Sequence, residues 1–360
     1  MKTRRKQRAE RSSPPTIKTL AQLTGYSIAT VSKALRNSPV VTDETRNKIF
    51  KVAASTGYQV NARGLALRTG KTLQAAVLMP VTTATNYEWD GVEYTQILQG
   101  LSQALEDSPY RIAIYPVRNT AEGLEAAQRV VEHGLADGLL FSGILADDPR
   151  INYLVERGFP FVSLGRCRRP LVYAHVDADH SAATRIATLR LIDGGHRRIA
   201  LINPDPALSY AQDRLDGFRA AFRSAGLAVC NDLIVSGDLS TLSGHQTAVT
   251  LREVNNPATA FVCVNESTAL GVLSGLHSLG LEAGREVDVI SFDDINVSAY
   301  LCPPLTTLYH PIEAQGRKLG EFLLRRMAGE GPEKLMHVFQ PKLIVRQPNR
   351  LRPPQETLTV

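Results

Sequence analysis

Signatures of the common hydrolases, nucleotide-binding enzymes and membrane proteins are missing from this sequence. It contains no HExxH, GxxxxGK[ST] or GxSxG pattern, which are typical of zinc peptidases, P-loop enzymes and α/β-hydrolases. It also contains no apolar run close to the roughly 18 residues that a membrane-spanning helix needs. We therefore expect a protein with no catalytic residues, no cofactor and no place within a membrane.

Cysteine is scarce, with 4 residues among 360, and these are scattered along the chain. None forms a CxxC pair, so the pattern favours reduced thiols over a disulfide framework. The charged start, MKTRRKQRAERSSPP, is followed by no apolar stretch of the kind found in secretory signals. These features predict a cytoplasmic protein.

Charge is distributed unevenly along the chain. Residues 1–71 contain 15 Lys or Arg and only three acidic residues, whereas the formal net charge of the whole chain is +6. The first fifth is therefore strongly basic and the rest is acidic. A basic segment on an acidic body indicates a polyanionic partner that binds at one end of the molecule. A solvated basic tail would explain residues 2–11, but not the excess that continues to residue 71.

The basic segment predicts three short helices behind a disordered tail over residues 1–15. Thr16 can cap a first helix, and Gly25 permits the sharp turn that follows it. Ser27 can cap a second helix, and Thr42 a third that ends at Gly57. Three short helices around one small core are typical of a helix-turn-helix domain, here predicted over residues 16–59.

The second helix has few large apolar residues on its outer face, which suits a major groove. Ile28 and Ala29 can touch thymine methyl groups, and Lys33 can donate to guanine. Ser32, Arg36 and the capped helix start can hold phosphates. An ordinary surface helix would show a similar pattern, and the basic charge favours DNA. The predicted DNA-binding residues in this segment are Thr16, Ser27, Ile28, Ala29, Thr30, Ser32, Lys33 and Arg36.

Three motifs make a family resemblance specific: G-x-S-x-x-T-V-S, V-T-x-x-T-R and G-Y-x-x-N, all within residues 16–70. This stretch resembles the headpiece of the LacI/GalR family of bacterial transcription regulators. The resemblance implies a homodimer in which each headpiece reads half of an inverted repeat in double-stranded operator DNA. It also implies association with the nucleoid.

Residues 60–71 occupy the position of the hinge helix in that family. The resemblance implies that Asn61 belongs to the DNA-binding set and that Leu67 wedges into the minor groove, unstacking a base step. Without the resemblance, a plain linker would explain this segment. Val60 replaces the family's usual proline and Gly64 its usual alanine, so we expect a hinge that is disordered without DNA and costlier to order.

From residue 72 onward, short β-rich runs alternate with helical stretches, which predicts parallel sheets covered by helices. The runs GHRRIALI, RLDGF, ISFDD and PPLTTL resemble the periplasmic-binding-protein-like core of the same family. The resemblance implies two α/β subdomains, 72–176 with 309–339, and 177–308 with 340–348. The tail, residues 349–360, lacks leucine heptads, so we expect dimers and not tetramers built on a coiled coil.

Ligands of such sheets bind beyond the carboxyl ends of the strands, and this rule selects candidate effector-binding residues. Asp293 follows the strand VDVISF, and Arg214 begins the helix RLDGFRAAF. Asn265 ends AFVCVN and Arg166 follows FVSLG. Trp89 could stack on a sugar ring, or could instead cover a dimer surface or a core edge. Glu266 stands where the family commonly has Asp, which puts the local geometry in question.

One histidine-rich run, HVDADH, resembles a metal site but has a simpler interpretation. Asp179 falls where a helix cap is needed. In an extended strand His175 and His180 would point to opposite faces. We therefore expect no metal site here.

Together these features predict a DNA-binding transcriptional repressor whose operator affinity is controlled by a small molecule in the cleft between the subdomains. A sugar or polyol suits the Arg and Asp candidates. The alternatives are a corepressor-dependent or activating regulator that responds to a nucleoside, a purine or another metabolite. An enzyme with an appended DNA module and a periplasmic carrier fit less well, because catalytic motifs and a secretory signal are missing.

Overall fold

The computed structural model describes residues 15–35, 38–58, 70–81, 91–295 and 297–346. The chain divides into two compact units, Met1–Lys71 and Thr72–Val360, which are called here the headpiece and the core. Within the described residues, no helix is both long enough and apolar enough to cross a bilayer.

The headpiece contains three helices: α1 (Ile17–Thr24), α2 (Ile28–Ala34) and α3 (Asp43–Thr56). Their caps are the predicted ones, because the side chains of Thr16, Ser27 and Thr42 each accept a backbone N–H bond three residues on. Gly25 and Gly57 follow α1 and α3 in left-handed conformations. Six buried apolar side chains form the small core: Leu20, Val31, Ala34, Val41, Ile49 and Ala53.

The first lobe of the core is built on a six-stranded parallel sheet of order β11-β5-β4-β3-β1-β2. Helices α4 and α11 cover one face, and α5 and α6 cover the other. The bounds are β1 (Gln74–Pro80), α4 (Gly91–Leu105), β2 (Arg111–Val117), α5 (Thr120–Glu132), β3 (Gly138–Phe141), α6 (Pro149–Glu156), β4 (Phe161–Leu164), β5 (His175–Ala178), α11 (Ile312–Met327) and β11 (Met336–Phe339).

The second lobe repeats this plan with a sheet of order β12-β10-β9-β8-β6-β7. Helices α7 and α8 pack on one face, and α9 and α10 on the other. The bounds are α7 (His180–Asp193), β6 (Ile199–Asn203), α8 (Ser209–Ser224), β7 (Ile234–Ser236), α9 (Thr241–Arg252), β8 (Ala260–Cys263), α10 (Glu266–Ser278), β9 (Asp288–Asp293), β10 (Thr306–Tyr309) and β12 (Lys342–Ile344).

The chain passes between the lobes after β5, after β10 and after β11. The expected return of the chain to the first lobe is seen in α11, which packs against α4, and in β11, which pairs with β5. One detail of the predicted parallel sheets is wrong, because the edge strand β12 runs antiparallel to β10. Strand β12 follows β11 of the first lobe after only two residues. It therefore begins at the end of its sheet that faces the first lobe. The exact limits of the predicted subdomains stay predictions.

Helices α4 and α11 approach each other closely because glycine faces the partner backbone on both sides. A side chain on Gly316 would overlap the Ile97 carbonyl, and one on Gly100 would overlap the Glu313 carbonyl. This contact fixes the helix that follows the second crossing, and with it the position of residues 310–315 at the cleft.

Candidate nucleic-acid interface and effector cleft

Helix α2 presents the face that the sequence predicts for DNA. Val31 and Ala34 are fully buried, whereas Ile28 is 46% exposed and Ala29 and Lys33 are exposed. The outward face therefore combines small apolar groups at the helix start with a cation one turn later. Small apolar groups can pack on a thymine methyl, and a lysine ammonium can donate to the acceptor atoms at the edge of guanine.

The start of α2 is held by a local hydrogen-bond pair. Ser27 Oγ accepts from the Thr30 backbone N–H at 3.1 Å and lies 2.9 Å from Thr30 Oγ1. Thr16 plays the same role on α1, where it forms a reciprocal pair with Thr19. Ser32 is partly buried beside the exposed face. Arg36, Asn61 and Leu67 lie outside the described residues, so their roles stay predictions.

A cleft of about 830 Å³, measured to include its open mouth, lies where the carboxyl ends of strands from both sheets meet. The first lobe contributes side chains that follow β3, β4 and β5, together with the start of α4. The second lobe contributes side chains that follow β8 and β9, together with the start of α8. The polar and charged residues of the lining are Glu93, Tyr94, Ser142, Asp177, His180, Tyr210, Arg214, Asn265, Asp293, His310 and Gln315.

Arg214 is the buried cation of the cleft. Its guanidinium lies over the rings of Phe292, at 4.7 Å, and Tyr210, at 5.0 Å. Burial lowers the pKa of Arg214, and the charges of Tyr210 and Asp293 oppose this effect. Among the described residues, Nε of Arg214 has no hydrogen-bond partner. The aromatic planes thus support a cation whose donors suit an oxygen-rich ligand.

Asp293 ends β9 and lines the cleft, as predicted from its place in the sequence. It has φ +83° and its neighbour Asp294 has φ +56°, which is a costly conformation for residues other than glycine. Arg346 stabilises this turn by donating to Asp294 at 2.8 Å. This turn places Asp293 in the lining of the cleft.

Asn265 also lines the cleft, and its side chain has a second role. It caps α10 by accepting the Thr268 N–H, and it donates to the Leu239 carbonyl at 3.1 Å. The next residue, Glu266, accepts from both the backbone N–H and the hydroxyl of Ser298. The longer carboxylate at position 266 is therefore used to anchor the loop after β9.

Arg166 lies beside the cleft and pairs with Asp177 at 3.1 Å. Burial raises the pKa of Asp177 to about 7, and the charge of Arg166 only partly offsets this. Asp177 also lies 3.6 Å from Nε2 of His180. Arg166 thus contacts Asp177, which lines the cleft, and is not itself among the lining residues. Its direct contact with an effector stays a prediction. Trp89 lies outside the described residues.

The histidines of the HVDADH run are separated, but not by the predicted alternation along one strand, because β5 ends at Ala178 and His180 begins α7. His175 packs on Tyr173 with ring centroids 5.4 Å apart, whereas His180 lines the cleft. Asp179 caps α7 by accepting the Ala182 N–H at 2.9 Å, as predicted. Sequence reasoning missed the cleft positions of Asp177, near the end of β5, and of His180. It also missed His310, although the rule of strand ends applies to it.

The two lobes are joined beside the cleft by a short ladder and an ion pair. Ser209 N–H donates to the Ile144 carbonyl at 2.8 Å, and Ala146 N–H donates to the Ala207 carbonyl at 3.2 Å. Arg168 of the first lobe donates to Asp213 and Asp216 of α8, each at 2.9 Å. We call these contacts the interlobe latch. They join the lobes at one side of the cleft.

Comparison with known proteins agrees with this architecture in both units. Residues 16–61 match the bacterial regulatory proteins of the lacI family, and residues 188–347 match the periplasmic binding protein-like domain. The chain is 30% identical to the HTH-type transcriptional regulator CelR of Thermobifida fusca over 94% of this chain and 99% of the relative. It is 29% identical to AglR of Rhizobium meliloti over 92% and 94% respectively.

Two solved structures extend the match to three dimensions. A complex of the transcriptional regulator CelR with cellobiose has a TM-score of 0.69 at 28% identity, covering 92% of this chain and 99% of that one. The lac repressor dimer bound to operator and the anti-inducer ONPF has a TM-score of 0.75 at 21% identity, covering 94% and 99%, and shows a shared fold. The chain therefore belongs to the LacI/GalR family of DNA-binding transcriptional regulators.

Proposed function

We propose that this protein is a transcriptional repressor whose affinity for its operator is controlled by a neutral carbohydrate bound in the cleft. The observation that carries this proposal is the buried Arg214, supported on two aromatic rings and turned toward a lining rich in carboxyl groups. Guanidinium and carboxylate groups together can donate to and accept from the hydroxyls of a sugar.

The charge of the lining supports a neutral ligand over an anionic one. Among the described residues of the lining, Glu93 and Asp293 face one guanidinium, Arg214, and the third carboxyl group, Asp177, is paired with Arg166. A phosphorylated or carboxylated sugar would meet more negative than positive charge in a site of low dielectric. The lining combines hydroxyl, amide and imidazole groups with these charges, which suits a ligand that carries several hydroxyls.

The DNA-binding role is proposed for the exposed face of α2 and the capped helix starts. Ile28, Ala29 and Lys33 would read base edges, and Ser27 and Thr30 would position the helix start near phosphates. Two headpieces of a homodimer would then recognise an inverted repeat. We further propose that the protein has no enzymatic activity and acts in the cytoplasm, associated with the nucleoid.

Selection of binding sites from randomised duplex DNA tests the regulatory part of this proposal. The full-length protein should enrich an inverted repeat. Repeating the selection with D-glucose, D-galactose, D-ribose or cellobiose should reduce enrichment for one of them. Enrichment only when hypoxanthine or guanine is added would favour the corepressor alternative. A protein that is folded but enriches no repeat under any of these conditions would contradict the proposal.

A further inference from the structure

Two histidines of the cleft lie at two of the three chain crossings. His180 is the first residue of α7, directly after the chain leaves the first sheet. His310 lies between β10 of the second lobe and α11 of the first. A ligand that bonds to this pair would therefore contact the segments that join the lobes.

The two imidazoles belong to a continuous row of rings. His180 and His310 have centroids 5.9 Å apart. His180 packs on Tyr210 at 5.4 Å, and His310 packs on Phe292 at 5.9 Å. The guanidinium of Arg214 covers both ends of this row, because it lies over Tyr210 and Phe292. The ring planes are thus fixed by packing and by a cation.

Three of the four nitrogen atoms of these rings have no hydrogen-bond partner in the described part of the chain, while Nε2 of His180 lies 3.6 Å from Asp177. His310 is only 4% exposed, and within the described residues neither Nδ1 nor Nε2 has a hydrogen-bond partner. The same holds for Nδ1 of His180. Buried polar atoms of native proteins normally have a partner, so unpaired atoms that line a cleft point to a ligand.

Both rings are held in the neutral form. Burial lowers the pKa of His310 to about 4, and the charge of Arg214 lowers it further. Burial, Arg214, His310 and Arg166 all lower the pKa of His180 well below its usual range. A neutral imidazole carries one donor and one acceptor, which is the combination that a sugar hydroxyl can satisfy in either direction.

We propose that His180 and His310 are effector-binding residues that read two hydroxyl groups of a neutral sugar. His310 offers both of its nitrogens and His180 offers Nδ1, so the pair selects a ligand with two hydroxyls at matching separation. A ligand lacking either hydroxyl leaves a buried nitrogen unpaired and binds more weakly. This inference rests on the proposed carbohydrate function and assigns the residues that set its specificity.

Replacing each ring by phenylalanine separates binding from packing. His310→Phe and His180→Phe keep an aromatic ring in the row but remove its nitrogens. Sugar affinity of each variant should fall about tenfold, because a hydrogen bond in a desolvated site is lost. The melting temperature of ligand-free His310→Phe should not fall, since only unpaired nitrogens are removed, whereas His180→Phe also loses the contact of Nε2 with Asp177. His310→Gln keeps a donor and an acceptor and should recover part of the affinity.

Isothermal titration calorimetry of the full-length protein with D-glucose, D-galactose, D-ribose and cellobiose tests the inference. His245→Phe is the matched control, since His245 lies on α9 beside Ser274 and is not part of the cleft lining. Its sugar affinity should equal that of the wild type. A second measurement needs no variant: sugar binding should shift the ¹⁵N-histidine resonances of two imidazoles in the wild-type protein.

The outcomes separate the two proposals. If one sugar binds the wild type and both phenylalanine variants equally, or binds without moving any imidazole resonance, the histidine assignment is overturned and the carbohydrate function stands. If none of the four sugars binds the wild type, the carbohydrate function fails and the histidine assignment fails with it. Weaker binding by both variants, with partial recovery in His310→Gln and no loss in His245→Phe, supports the assignment.

Discussion

In the headpiece, the polar side chains at helix starts are used within the fold. Thr16, Ser27 and Thr42 each accept a backbone N–H of the helix that they begin. In the cleft, polar atoms of Arg214 and His310 are buried and have no partner among the described residues. The comparison teaches that the capping groups of the headpiece are satisfied within their own helices, whereas the cleft retains buried polar atoms that a ligand can bond.

The largest expected effect comes from removing the buried cation of the cleft. Arg214→Met should weaken binding of the active sugar by about 2–5 kcal/mol, because ligand oxygens lose a charged donor in a desolvated site. The melting temperature of the ligand-free protein should not fall, since a buried charge is replaced by a side chain of similar volume. Calorimetry and thermal unfolding measure the two effects. A lower melting temperature with unchanged affinity would give Arg214 a structural role.

The second effect is a change of folding stability with pH. The raised pKa of Asp177 decides whether stability rises or falls as the pH increases. Burial raises the pKa of Asp177 from its ordinary value of 3.8 to about 7, so the folded state holds this proton more tightly than the unfolded chain. The resulting stability is fully present below about pH 3.8 and is lost as the pH rises through about 7. At higher pH the folded state contains a buried carboxylate whose cost Arg166 only partly offsets.

Asp177→Asn should therefore unfold like the wild type near pH 4 and be more stable above pH 7. The rise in pKa corresponds to an upper limit of about 4 kcal/mol. Chemical denaturation of both proteins between pH 4 and pH 8 measures the difference at each pH. A constant difference across this range would contradict the assignment of the pH dependence to Asp177.

The third effect is a loss of operator affinity when a residue on the exposed face of α2 is replaced. Lys33→Ala should weaken operator binding by about 1–3 kcal/mol, because one base-edge contact is lost, and should relax specificity at one position of each half-site. Its sugar affinity in the absence of DNA should match that of the wild type. Lys48→Ala is a control on α3, where the lysine lies over the Tyr26 ring. Equal loss on all DNA sequences would assign Lys33 to a phosphate contact.

The smallest effect is expected at the interlobe latch. The side chain of Arg168 is 40% exposed, so its pairs with Asp213 and Asp216 contribute little. Arg168→Ala should lower sugar affinity by less than about fivefold if the sugar binds the arrangement in which the latch is formed. Raising the salt concentration should reduce the difference between variant and wild type. A variant that binds the sugar more tightly would show that the latch opposes binding.

The headpiece could be predicted closely because its signals are local. Each cap and each glycine lies within a few residues of the helix that it begins or ends, so Thr16 and Gly25 suffice to bound α1. Asn265 and Asp293 were placed by the rule that ligands bind at strand ends. Arg214 also lines the cleft, but the prediction that it begins its helix is wrong, because α8 already begins at Ser209. The contacts of all three residues with an effector stay predictions.

The row of rings that contains His180 and His310 could not be predicted, because it depends on where the chain crosses between the lobes. His180 and His310 are far apart in the sequence and meet only because two crossings lie side by side. Asp177 was hidden in the same way, within a run that resembles a metal site. The antiparallel direction of β12 also escaped prediction, since it depends on the route of the chain from the other lobe.

The most direct test of the central claim measures operator affinity of the wild-type dimer with and without the sugar that binds it. Fluorescence anisotropy with the selected inverted repeat gives both dissociation constants. The account predicts that saturating sugar weakens operator binding at least tenfold, and that operator weakens sugar binding by the same factor. Identical operator affinity with and without bound sugar would contradict the claim that the cleft controls the headpiece.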